Sequence, residues 1–155
     1  MDIRISFKAE ARGGKFELTD ETIKVDGETL YRIKALKSFG SVKAGDLGGF
    51  VQSEKNLSQD GKAWIFGKAQ VYGNAQVYED ARVFNNARVY EDARAFGNVY
   101  ITDNAQVYGK AQVYGRAGVY DNARVYGNAK IHGNTQIRGD VDIDSGTRAS
   151  HGLRY

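Results

Sequence analysis

From Ala63 to Asp140 the chain is written in sixes, thirteen times over, without one inserted or deleted residue. The hexads run AWIFGK, AQVYGN, AQVYED, ARVFNN, ARVYED, ARAFGN, VYITDN, AQVYGK, AQVYGR, AGVYDN, ARVYGN, AKIHGN and TQIRGD, with VDID following. Their consensus is Ala–polar–Val–Tyr–Gly–Asn. A repeat this strict constrains the fold more than any other feature, because each unit must bury the same small face against its neighbours. Positions one and three are small and aliphatic, and positions two and four are polar or aromatic. That alternation is the period of a strand. Positions five and six are mostly turn formers, and Gly and Asn tolerate positive φ, so a tight corner after every four residues costs little. A helix is excluded, since a 3.6-residue period cannot hold Ala and Val on one face through thirteen copies. Hairpins of such short strands would bury too little on one side.

The expected fold is therefore all-β, a solenoid of short parallel strands whose coils stack about 4.8 Å apart. The spacing of Val71 to Ala75, Val77 to Ala81 and Val83 to Ala87 resembles the hexapeptide repeat, an aliphatic residue followed four places later by a small one. That resemblance implies a left-handed parallel β-helix with three hexads per triangular coil, a little over four coils here. The leading segment FGSVKAGDLGGFVQSEKNLSQDGKAWIFG (Phe39–Gly67) is similar to a subset of bacterial and phage members. These are often named as transferases without an established reaction.

Three parts are expected: a β-rich N-terminal cap over 1–46, the β-helix over 47–144, and a C-terminal tail over 145–155. Residues 1–45 lack the repeat. KFELTDETIKVDGETLYRIKAL alternates apolar and polar residues about Asp26-Gly27, a hairpin signal. Such a piece would cover the open solenoid end, whose unpaired backbone otherwise invites polymerisation. Its solvent side would carry Arg32 and Lys34, with Lys37 close by, either as a solvated face or as an anion patch. Val51 and Leu57 fall in the inward frame, so the first coil should begin near residue 47. DSGTRASHGLRY reads as a loose tail or simple cap.

Charge narrows the function. Residues 1–62 carry 11 basic against 10 acidic side chains and residues 63–144 carry 9 of each, so the net charge of +3 includes only Arg148 and Arg154 beyond them. A duplex-binding surface needs a basic stripe, and an acidic mimic needs the opposite, so neither is expected. No apolar run follows MDIRISFKAE and none approaches a membrane span, so a cytoplasmic protein without membrane contact is expected, in the host cytoplasm if phage-encoded. There is no Cys and no Pro.

Chemistry is thinly represented. The hexapeptide resemblance implies acyl transfer from a thioester, with a catalytic His at a site between subunits, often on a loop interrupting the coils. This chain has two histidines. His132 stands where most hexads have Tyr or Phe, His151 lies in the tail, and no loop breaks Ala63–Asp140. The carbonic-anhydrase branch of that family needs three metal-binding histidines. Pairs such as Glu79-Asp80 and Glu91-Asp92 sit at corners and read as solvated. No catalytic residue, metal or cofactor is expected, and an acyltransferase is the rival reading.

The fourth position is the conspicuous one. Residues 18 apart should stack, so one face carries Tyr72, Tyr90, Tyr108 and Tyr126 beside Gln70, Arg88, Gln106 and Arg124. A second carries Tyr78, Phe96, Tyr114 and His132 beside Gln76, Arg94, Gln112 and Lys130. The third is broken: Phe66, Phe84, Thr102, Tyr120, Arg138. These ladders could be structural, shielding backbone hydrogen bonds. They could equally be a binding surface, since outward Tyr beside Arg is the pairing enriched at protein contacts. On the second reading the protein is a non-catalytic module acting on a protein partner or on itself, as a dimer or trimer. A small molecule held by Tyr and Arg of adjacent subunits is one version, and antagonism of a host component is one role a phage or prophage origin would suggest.

Overall fold

The structure is a computed structural model and describes residues 14–150. It is an all-β solenoid of about five turns, with one short 3-10 turn, Glu54–Asn56, as its sole helical element among the described residues. Two-residue strands at positions two and three of each hexad pair in parallel with the strands 18 residues away, as in Gln70–Val71 with Arg88–Val89 and Gln106–Val107 with Arg124–Val125. Three sheets result, one per face. The first face runs through strands at residues 70, 88, 106, 124 and 142, the second through 76, 94, 112, 130 and 147, the third through 64, 82, 100, 118 and 136.

The core is the inward column the repeat predicts. Ala69, Val71, Ala75, Val77, Ala81, Val83 and their successors up to Ile137 are fully buried, with Ala117 the largest departure at 1% exposure. Every fifth hexad residue from Gly67 to Gly139 has positive φ, including Glu79, Asn85, Glu91, Asp103 and Asp121 at 57–60°. The corner is thus left-handed whatever the side chain, and each non-glycine residue there bears a steric cost of about 1–2 kcal/mol. The corners differ in clearance. A Cβ at Gly127 would run into the carbonyl of Asp144, whereas one at Gly139 would meet nothing within 4 Å. Gly139→Ala is expected to cost about 1 kcal/mol, the conformational term alone, and Gly127→Ala more than about 2 kcal/mol in urea melts. Equal costs would mean the corners adapt and the close approach does not matter.

The N-terminal hairpin forms as read. β1 (Phe16–Val25) pairs antiparallel with β2 (Glu28–Ala35) through Asp26 at φ 52° and Gly27 at φ 81°. β3 (Leu47–Val51) pairs antiparallel with β2 on one edge and parallel with Gln70–Val71 on the other. The hairpin therefore extends the first face into an eight-stranded sheet. The loop between β2 and β3 folds across the third face instead. There Phe16 and Phe39 meet Trp64 edge-on, at 6.3 and 5.3 Å between ring centroids. Trp64 stands at an outward hexad position, yet it is 1% exposed. Its ring finds room because Gly48 has no side chain: a Cβ there would sit 2.8 Å from Trp64 Cζ2.

Two polar side chains finish the first coil. Buried Asn56 donates to the carbonyls of Gly73 (3.1 Å) and Ala75 (2.9 Å), and accepts from the amides of Gln52 and Ser53. It stands in for a strand that this side of the first coil lacks, where Leu57 makes a single bridge to Val77. Lys15, 1% exposed, reaches across the end to the carbonyl of Ala63 at 2.8 Å and those of Gly61 and Asp60 at 3.4 and 3.5 Å.

At the other end the expected tail is corrected. Thr147–Ser150 continues the second face, parallel to Lys130–Gly133, after a corner at Gly146 with φ 80°. The solenoid therefore runs to residue 150 and not to 144, because the backbone there still finds ladder partners. His151 lies outside the described residues.

Candidate functional site

The two unbroken aromatic ladders are present and in register. On the first face Tyr72, Tyr90, Tyr108 and Tyr126 stack with centroids 4.9–5.1 Å apart and planes within 8°. On the second, Tyr78, Phe96, Tyr114 and His132 do the same at 4.8–4.9 Å. The spacing is that of the coils themselves, so the rings are held face to face by the backbone period. The outward rings are only partly exposed: each covers its neighbour, leaving them half-buried and Tyr72 buried.

The hydroxyl tips and the neighbouring position-two side chains are bound to one another. Tyr72 Oη donates to Asp26 at 2.9 Å, Arg88 Nη1 donates to Tyr72 Oη at 3.4 Å, and Tyr90 Oη donates to Gln106 Oε1 at 3.1 Å. Arg124 grips Asp142 with two bonds of 3.0 Å. Arg88 thus joins the first ladder as the sequence implies, while Arg124 is held by a carboxylate on the next coil. Arg94 lies on the second face, exposed. Burial raises the Tyr72 phenol to about 12, with the hydrogen bond to Asp26 adding to it, and burial also raises Tyr90 and Tyr108. All three stay protonated at neutral pH.

The first ladder does not end at Tyr72. Leu30 of β2 and Phe50 of β3 close over it, with Ile23, Val25 and Tyr90 packed against the cluster. Where the Asp26–Gly27 turn overhangs the rings, a groove of about 630 Å3 opens between Asp26, Glu28, Gln52, Lys55, Tyr72 and Tyr90.

Of the three cations of the suggested anion patch, Arg32 is already engaged. Arg32 lays its guanidinium over the Phe50 ring at 4.5 Å, donates from Nη1 to the Gly48 carbonyl at 2.7 Å and ion-pairs with Glu21 at 3.0 Å. Lys34 pairs with Leu47 in the sheet, and Lys37 lies close enough to Lys15 to repel it. Arg32 is a packing residue with its charge already matched.

His132 is stacked on Tyr114 within the strand Lys130–Gly133, in an unbroken run of hexads. Among the described residues no group of three His, Cys, Asp or Glu could hold a metal ion, and no helix is long and apolar enough to cross a membrane. Sequence reading missed Lys15, Asn56 and Trp64, which lie before or at the edge of the repeat, where no register says which way they point. It also missed Tyr100, a position-two ring on the third face, 39% exposed.

A family model described as a YdcK β-solenoid repeat matches residues 75–91 and 118–133. The chain is a β-solenoid repeat protein. Both matched segments lie within the hexads, and the second spans the corner at Asp121 and the strand that carries His132. The comparison with curated proteins returns no match.

Proposed function

We propose that this β-solenoid is a non-catalytic binding module and that the first face is its main contact surface. The observation that carries the reading is the tyrosine ladder itself: four parallel rings, Tyr72 buried and the other three half-buried, running into a groove beneath the hairpin turn. The rings are already held by their stacked neighbours, so a partner laid across the face orders little that is not ordered already. Tyrosine is also the residue that gives most contact area for least entropy. The occupant in this reading is a protein partner or a second copy, in a dimer or trimer, with a small ligand in the groove as the narrower version. The left hand of the helix, a phage or prophage origin, a host component as target and residence in the host cytoplasm belong to the same reading. They are supported by the resemblance of Phe39–Gly67 and of the hexads.

Tyr90→Ser combined with Tyr108→Ser tests it. Native mass spectrometry of the protein recovered from a bacterial lysate at moderate salt should show a discrete added mass, protein or small molecule, or a defined oligomer. The double variant should lose it while keeping its far-ultraviolet spectrum. Retention of the same added mass by the variant would return the ladder to a purely structural role.

A further inference from the structure

The third face departs from the other two from Thr102 onward. Phe66 and Phe84 stack at 4.5 Å with planes 4° apart, as on the other faces. One coil further the position-four residue is Thr102. On the coil after that the Tyr120 ring leans away over Gly118, where a Cβ would lie 2.5 Å from its Cε1 and Oη, and Arg138 packs on that ring at 4.4 Å. Tyr100 stands beside the gap, edge-on to Phe84 at 5.9 Å and 74°. Arg82 holds it there, donating to the Tyr100 hydroxyl at 3.0 Å with the guanidinium 5.3 Å from the ring centroid.

The missing rung leaves a notch of about 230 Å3 with Thr102 as floor, Phe84, Tyr100 and Tyr120 as walls and Arg82 at the rim. The Thr102 hydroxyl accepts from Asn85 at 2.9 Å, so its polar atom is engaged. A dry cavity of about 150 Å3 takes benzene, and sites for whole small molecules begin near 300 Å3. The notch is therefore of one-ring size. Arg82 is the one charged side chain lining it, and the carboxylate of Asp103, next to Thr102 in the chain, is bound by the Asp121 amide at 3.1 Å and by Asn85 at 3.3 Å. The described residues of a second copy have little to insert. Among the described residues Leu47 and Tyr100 are the exposed large apolar side chains, and Tyr100 is already a wall.

We infer that the notch seats one aromatic side chain of a partner protein, flanked by a carboxylate that pairs with Arg82. This rests on the binding-module reading but uses a different face from the tyrosine ladder. The inserted ring takes the rung the repeat leaves out, among the three aromatic walls, as an anchor residue fills a preformed pocket at a protein interface.

The test is a titration of isotope-labelled protein with N-acetyl-Asp-Trp-amide, followed by amide chemical shifts. Saturable shifts are expected at Arg82–Phe84, Tyr100–Thr102 and Gly118–Tyr120, with dissociation in the millimolar range. N-acetyl-Lys-Trp-amide should bind about threefold to fivefold more weakly, the size of one exposed charge pair, and N-acetyl-Asp-Leu-amide should not saturate. Arg82→Gln should erase the difference between the two Trp peptides. Thr102→Tyr, which fills the rung with the chain's own ring, should abolish binding; if that variant misfolds, the three-peptide ranking on the native protein decides. No saturable shift at about 10 mM, equal shifts from all three peptides, or shifts confined to another face would overturn the proposal. So would a dimer in sedimentation that Thr102→Tyr dissociates, which would give the notch to a second copy. Tyr90→Ser with Tyr108→Ser should leave peptide binding intact, so failure at the notch and failure of the ladder reading are separable.

Discussion

Trp64→Ala is expected to destabilise the protein by about 3–5 kcal/mol, the range for removing a large buried aromatic side chain. Trp64 is the largest fully buried side chain and the single tryptophan. Phe16 and Phe39 pack edge-on against it, and the loop that closes the first coil has no other large ring at its centre. Each hexad below contributes only an Ala and an aliphatic residue to the core, so nothing nearby can swell into the hole. Trp64→Phe should cost less, since a ring remains for Phe39 to meet. Urea unfolding followed by circular dichroism reads both. A loss under 1 kcal/mol for Trp64→Ala would mean the cap is held by the β2–β3 ladder and not by its aromatic cluster.

The second expectation concerns Lys15. Burial lowers its pKa from 10.5 to about 8; Asp60 and Asp80 pull the other way, and Lys37 adds to the depression. Below pH 8 the amine is protonated in both folded and unfolded chains, and the folded state bears the full cost of burying the charge. Between about 8 and 10.5 the unfolded chain still holds the proton while the folded one releases it, so stability rises with pH, by no more than about 3–4 kcal/mol at 1.4 kcal/mol per unit. The tyrosines act in the opposite sense and later. Tyr72, raised to about 12, keeps its proton while unfolded phenols lose theirs, so stability falls from pH 10 towards 12. Maximum stability should therefore lie near pH 10. Lys15→Met, which keeps the length and removes the charge, should flatten the rise from 8 to 10 and retain the fall above it. Parallel profiles for the two proteins would show that Lys15 is charged at no cost, its three carbonyl partners matching what water supplied.

These two residues mark where the sequence stops being self-explanatory. Between Ala63 and Asp140 the hexad frame gives each side chain its direction, its face and its neighbours 18 residues away, and the structure follows it through the buried Ala and Val columns and the stacked rings. The Asp26-Gly27 turn is legible too, because it needs positive φ at both residues. Trp64 is not: the frame points it outward, and only the fold of a distant loop buries it. Lys15 reads as one more surface cation until its three carbonyls are seen. The notch on the third face is legible as a gap at Thr102 and illegible as a site, since Tyr100 and the lean of Tyr120 over Gly118 are departures that compensate each other only in space.

The fixed parallel register between residues 18 apart has a consequence for how such a molecule can change. Duplicating three hexads would push the two ends one coil further apart and leave every surface facing as before. Duplicating one would swing everything beyond it by a third of a revolution, moving the missing rung onto a neighbouring side at almost no cost to the core. Length and bearing are thus set by whole-number arithmetic in the gene, so that distance between two contacts and the angle between them can be inherited independently of what those contacts recognise.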